Sequence, residues 1–150
     1  MPIVRQAASH DLSDWIRMRR LLWPDCPDDD HRSETLQILE DGKQEVAYVA
    51  ERSGGGLAGF VEAQLRRYAD GCDTSPVGYV EGWFVDSDAR RGGIGAQLIA
   101  AVESWAISQG CLEMASDTQL QNHVSQAAHA RVGYGEVERV IRYRKRLSNY

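Results

Sequence analysis

The segment Arg90-Arg91-Gly92-Gly93-Ile94-Gly95-Ala96 joins a run rich in β-branched and aromatic residues, Val77 to Val85, to a run of helical periodicity, Leu98, Ile99, Val102, Trp105 and Ala106. A turn in that position aims backbone N–H groups outward at a helix N-terminus, where the helix dipole favours negative charge. Glycines let an oxyanion approach the main chain and the arginines add charge, so the chemistry implied is phosphate or pyrophosphate binding. Two familiar phosphate loops fail. Ala96-Gln97 stands where a P-loop needs Lys-Ser/Thr, and Leu98 stands where the dinucleotide fingerprint needs its third glycine. The pattern that remains, Arg-x-x-Gly-x-Gly, is met by Arg90, Gly93 and Gly95; the plainer alternative is a strand-to-helix turn with no ligand.

Two carboxylates stand out as candidate proton acceptors. Glu81 lies mid-strand in Tyr79-Val80-Glu81-Gly82-Trp83, where a charge is costly unless it is paired or faces a cleft. Asp117 ends the short apolar run Met114-Ala115-Ser116. The structural alternatives are a buried salt bridge for Glu81 and a helix N-cap for Asp117. Cys26, Cys72 and Cys111 show neither the close pairing of a disulfide or zinc site nor a nucleophile–base pattern, so reduced thiols and no metal are expected. His10, His31 and His123 have no motif around them and default to the surface.

The elements that must position these groups follow in order. Ile3 to Ala7 reads as a strand, and Ser9 as the N-cap of a first helix with the stripe Leu12, Trp15, Ile16, Arg19 and Leu22. Pro24 and Pro27 end it. Asp28-Asp29-Asp30 opens a second helix with Leu36 and Leu39 as core positions and Gly42 as its stop. Val46 to Glu51 and Leu57 to Arg66 form a hairpin across Ser53-Gly54-Gly55-Gly56, and a loop from Tyr68 to Pro76 leads into the strand Val77 to Val85. After the glycine turn come a helix closed by Gly110, a short strand Leu112 to Ala115, a helix Gln119 to Val132, and a final strand or strand pair from Val137 to Leu147. This order describes a mixed α/β domain around one sheet.

At 150 residues, one domain spanning 1–150 is expected. The net charge of −5 argues against nucleic acid as a partner and suits a cationic one. Apolar runs fall short of the ~20 residues of a membrane helix, and Met-Pro-Ile-Val-Arg lacks the apolar core of a signal peptide, so a cytoplasmic protein is expected.

The Arg90/Gly93/Gly95 pattern and the order of elements resemble the GNAT superfamily of N-acetyltransferases. The resemblance implies a central mixed, mostly antiparallel sheet flanked by helices, with acetyl-coenzyme A as co-substrate. Its pyrophosphate would rest on Arg90, Arg91, Gly92, Gly93, Ile94, Gly95 and Ala96. In that family the strand before the motif splays from its neighbour, and free N–H groups near Phe84 and Val85 would bond the pantetheine arm and polarise the thioester carbonyl. The pattern Asn122-x6-His129-x3-Gly133-Tyr134 resembles the family's cofactor-side helix, which implies cofactor binding for Asn122. The family usually has a tyrosine four residues before that glycine as the acid that protonates the leaving thiolate. This chain has His129, which either takes over that role or packs against the cofactor.

A narrower resemblance, to the aminoglycoside 6'-N-acetyltransferases, runs from Trp23 to Arg146. It rests on Leu22-Trp23-Pro24, Asp73-Thr74-Ser75-Pro76-Val77, Glu81-Gly82, Ala115-Ser116-Asp117 and Glu138-Arg139-Val140. It implies an acceptor pocket lined by Trp23, Tyr68, Glu81, Asp117 and Glu138, Glu81 or Asp117 as the base, direct attack without an acyl-enzyme, and a homodimer formed through the exposed final strand. For Trp23 and Tyr68 the plainer alternative is core or rim packing, and for Glu138 a solvated face. The rival functions are acetylation of a polyamine, an amino sugar or a protein N-terminus, and non-catalytic acyl-CoA sensing.

Overall fold

Five strands pair in chain order: β1 (Ile3–Gln6), β2 (Glu45–Glu51), β3 (Leu57–Arg66), β4 (Val77–Val85) and β5 (Met114–Ser116). All neighbours are antiparallel except β4 and β5, which run parallel. This computed structural model describes residues 2–148, in two compact units that divide after Asp117.

In the first unit, helices α1 (Leu12–Leu22) and α2 (Asp28–Glu40) cover one face of the sheet and α3 (Ile94–Ser108) covers the other. The division is visible at two successive residues. Phe60 joins Trp15, Met18, Ile38 and Val49 in one core cluster. Gly59 points the opposite way, as alternation along a strand requires, and a Cβ there would lie 3.3 Å from Leu98 of α3.

Three local expectations change. Ser9 does not cap α1; it starts a 3-10 turn, Ser9–Asp11, and the Asp11 carboxylate accepts from Ala8 N at 2.8 Å while pairing with Arg5. Asp11 can pair with that guanidinium and bond the main chain together, which a serine hydroxyl cannot do. Along α2 the inward face is His31, Thr35 and Ile38, whereas Leu36 is 40% exposed. His31, expected on the surface, is fully buried. Leu39 packs against the core as expected, and Arg19 of α1, itself buried, donates to the His31 carbonyl and pairs with Glu34, so that α2 docks on a charge as well as on Ile38 and Leu39.

In the second unit, α4 (His123–Arg131) starts later than expected, with Asn122 as its N-cap. The expected final strand is absent: residues 135–146 have no regular structure, and Val137, Ile141, Tyr143 and Leu147 are exposed. The segment has strand composition but no strand partner among the described residues, and a lone strand leaves its backbone groups unpaired.

Candidate active site

Glu81 owes its position to an irregularity in β4. Gly82 pairs with Glu62 and Val80 with Ala63, so Glu81 is an extra residue, a β-bulge that re-aims its side chain. Its carboxylate accepts from Gln64 Nε2 at 2.5 Å and from Arg66 Nη2 at 2.9 and 3.1 Å and Nε at 3.2 Å. The same guanidinium lies over the Tyr79 ring, 3.5 Å from its centroid, and the Tyr79 hydroxyl donates to the Asp117 carboxylate. The two acids are therefore linked through Arg66 and Tyr79. Burial first, and then the bond to Asp117, push the Tyr79 phenol above its ordinary range, so it stays a proton-bearing donor. Glu81 is a half-buried ion pair, and Asp117, just past β5, caps no helix.

Trp23 lies directly on this bulge. A Cβ on Gly82 would sit 2.3 Å from Trp23 Cη2, so only glycine lets the indole rest on β4. The ring is held edge-on by Phe60 at 6.2 Å and by the Arg19 guanidinium at 4.9 Å. Tyr68, in the loop after β3, is 77% exposed.

Past the bulge, β4 opens. β5 pairs with it only from Gly78↔Met114 to Val80↔Ser116, while β3 stays paired with it as far as Val85. Phe84 and Val85 lie beyond the last β4–β5 pair. The strand then feeds the glycine turn. Arg90 Nε donates to the Val85 carbonyl at 2.9 Å, Arg91 has φ 74°, and Gly93 caps α3 with φ 82°. The first helical bond runs from Gln97 N to Gly93 O, so the N–H groups of Ile94, Gly95 and Ala96 have no intrahelical partner. The Ile94 side chain is buried and anchors the turn, while Arg90, Arg91, Gly92 and Ala96 face solvent. Trp83 donates to the Gly95 carbonyl at 3.1 Å, and its ring would lie 3.3 Å from a Cβ at that position. The result is a cradle of N–H donors and arginines at the end of an open strand edge, suited to a phosphate-bearing ligand with an extended arm.

Residues 15–134 match the profile of the acetyltransferase (GNAT) family. The chain belongs to that family. It is 43% identical over 144 residues to the aminoglycoside N(6')-acetyltransferase type 1 of Salmonella enteritidis, covering 95% of this chain and 98% of that protein. Its identity to the protein of the same name from Serratia marcescens is 44% over 140 residues, covering 92% and 95%. Among solved structures it is similar to AAC(6')-Iy in complex with the bisubstrate analogue CoA-S-monomethyl-acetylneamine, with TM-score 0.91, 42% identity, and 97% and 99% coverage. The expected GNAT fold is thus the observed one.

In this GNAT chain the remaining candidates lie in the second unit. The Asn122 side chain accepts from Ser125 N at 3.0 Å, which employs it as a helix cap. His129 Nδ1 lies 2.7 Å from the Ser125 carbonyl, which can only accept, so Nδ1 carries a proton. A neutral His129 then offers Nε2 as an acceptor, and donation from Nε2 requires the imidazolium. The Tyr134 ring stands edge-on to it at 5.9 Å. Glu138 is exposed.

Sequence reasoning missed Arg66, Gln64, Tyr79 and Gly82. A signal for the first two existed: Glu62, Gln64 and Arg66 alternate with Val61, Ala63 and Leu65, which marks a polar face on β3. Among the described residues no group of three or more His, Cys, Asp or Glu is placed to hold a metal, and no helix is long and apolar enough to cross a membrane. The three cysteines are free, and burial pushes their thiols up, opposite to the shift of an activated nucleophile.

Proposed function

We propose that this protein transfers the acetyl group of acetyl-CoA to the 6'-amine of aminoglycosides. The observation that carries the reading is the course of β4, which presents Glu81 on a bulge, then an unpaired edge at Phe84 and Val85, then the glycine turn at the α3 N-terminus. The relatives' names and the solved complex with a CoA–neamine analogue support it.

The pyrophosphate rests on residues 90–96 and the pantetheine arm adds to the open edge of β4, where one N–H near Phe84 or Val85 polarises the thioester carbonyl. Asn122 belongs to the cofactor side. Trp23 and Tyr68 supply aromatic faces, and Glu81, Asp117 and Glu138 supply carboxylates for the acceptor's ammonium groups. Glu81 or Asp117, through water, takes the amine's proton. The amine attacks directly, a reading supported by burial that pushes the three thiols up and away from an activated nucleophile. His129 as imidazolium protonates the departing thiolate. Much of the rate comes from alignment of the two substrates.

The two units act as one acetyltransferase domain, since the family match crosses their boundary. The exposed apolar residues of 137–147 favour a homodimer. Free cysteines fit a cytoplasmic setting.

Thiol release from acetyl-CoA tests the function, with kanamycin, tobramycin, spermidine and a short peptide as separate acceptors. Release only with antibiotics bearing a free 6'-amine, with the acetyl located there by NMR, is the expected result. Turnover of spermidine or peptide alone would discard the acceptor, and CoA binding without any turnover would favour a sensor.

A further inference from the structure

We propose that Arg66 is a specificity-determining residue: its guanidinium fills the cation position at Glu81 and Tyr79 in the acceptor-free protein, and an incoming ammonium must displace it. The inference rests on the acceptor reading above, in which Glu81 receives an ammonium group.

Glu81 has little room for a second donor. Oε2 accepts from Gln64 Nε2 and from Arg66 Nε and Nη2, and Oε1 accepts from Arg66 Nη2. A carboxylate has about four acceptor sites, and these bonds use most of them. The second attraction for a cation here, the face of Tyr79, is covered by the same guanidinium at 3.5 Å. An ammonium brought to Glu81 while Arg66 stays would be a like charge at contact distance. Arg66 has an exit, because its side chain is 40% exposed at the end of β3 and the next residues, Arg67 and Tyr68, are exposed.

The exchange sorts acceptors by charge. An acceptor with one ammonium replaces one cation with another at Glu81 and gains little. An acceptor with several places further ammonium groups on neighbouring acids such as Asp117, and these offset the loss of the Arg66 pair. Arg66 thus discriminates against singly charged amines without touching the bound acceptor.

Steady-state kinetics of Arg66→Ala and Arg66→Lys test this. The pair is half-buried and open to solvent on one side, so Arg66→Ala is expected to lower the acceptor KM by roughly threefold to fivefold. The acetyl-CoA KM should not change, the preference for polycations over a single amine should narrow, and Arg66→Lys should return both towards wild type. A raised or unchanged acceptor KM in Arg66→Ala overturns the proposal. The wild-type protein gives a second readout that does not depend on variants of poor stability. The Arg66 Nε–H NMR signal, assigned by its loss in Arg66→Lys, should move to the position of a free guanidinium under saturating kanamycin or spermidine, and a signal that stays overturns the proposal. The two readings fail separately: absence of turnover with every aminoglycoside removes the proposed function, while displacement of Arg66 by either polycation still upholds the exchange.

Discussion

Gly82→Ala is the smallest change that should damage the acceptor side alone. The new Cβ would lie 2.3 Å from Trp23 Cη2, 2.6 Å from Cζ2 and 3.4 Å from Leu22 Cδ2. Carbon atoms rest at about 3.5–4.0 Å, so the indole must retreat by roughly 1–1.5 Å. Phe60 and the Arg19 guanidinium stand against the ring and resist that movement. Overpacking of this kind costs about 1–3 kcal/mol, which in a chain of this length lowers Tm by roughly 2–4 °C for each kcal/mol. A displacement near 1 Å beside the reacting amine costs on the order of 100-fold in kcat/KM for the acceptor. CoA affinity should stay near wild type, because the new Cβ meets Trp23 and Leu22 and not the glycine turn. Calorimetry, acceptor kinetics and CoA titration read the three quantities. Trp23→Leu in the Gly82→Ala background should recover most of the lost stability, a strong departure from additivity. A Gly82→Ala protein with wild-type Tm and acceptor KM, or additive effects in the double variant, would refute the close approach of Trp23 to β4 as the reason for Gly82.

Other outcomes follow from the same geometry. Burial holds the Glu62 carboxyl up to about 7 against an ordinary 4.5, although Arg19 and Trp15 oppose it, so between those values the native state keeps a proton that the unfolded chain has shed. Stability therefore falls by about 3 kcal/mol as pH rises through that window, and Glu62→Gln should flatten the decline in denaturant midpoints; parallel curves for both proteins would be the wrong result. Gly93→Ala forces an L-residue to φ 82° and should cost about 1–2 kcal/mol together with CoA affinity, whereas Gly92→Ala, whose Cβ would meet only the Ala89 carbonyl at 3.8 Å, should be nearly silent by thermal shift and CoA titration. Glu81→Gln should lose acceptor turnover but keep CoA binding. Deletion of Glu81 closes the bulge without changing the β3–β4 register and should lose both, the CoA affinity by about 5- to 30-fold for one or two main-chain bonds; equal CoA affinity in the two variants would detach the bulge from the cofactor half.

The residue pattern foretold β3 and β4 to the residue because alternation, β-branched content and flanking turn residues agree there. The glycine turn was legible for the same reason: a strand, a turn and a periodic helix leave the N–H groups of 94–96 one orientation. What escaped were features set by partners distant in sequence. His31 is inside because Arg19, twelve residues earlier, is inside, and no local pattern on α2 carries that information. The bulge at Glu81 is a property of the β3–β4 register and is invisible in either strand alone. Arg66 reads as one basic residue among several until the fold places it over Tyr79. The segment 137–147 shows the opposite failure, since strand composition predicts a strand only where something is available to pair with it.

In the proposed function, the bulge would let two substrates meet on one strand. An extra residue increases local twist, and β5 stops pairing with β4 at Val80, immediately before it. The bulge residue Glu81, proposed to face the acceptor, thus lies next to the stretch of β4 proposed to take the cofactor's arm. From Glu81 to Phe84 is three residues, about 10 Å of strand at 3.3 Å each. In the proposed reaction one backbone would set both amine and thioester, so direct transfer would need no swinging group to carry the acetyl between them. The two halves differ in how they are built. The proposed cofactor half rests mainly on main-chain N–H groups, so most side chains there can change without loss of the cradle, provided that position 93 keeps φ 82° and position 95 stays small. The proposed acceptor half rests on side chains, Glu81 with Arg66 and Gln64, Asp117 with Tyr79, and Trp23 on Gly82. Substitutions in this second set are the ones by which a protein of this fold would alter its range of amines while keeping its acetyl donor.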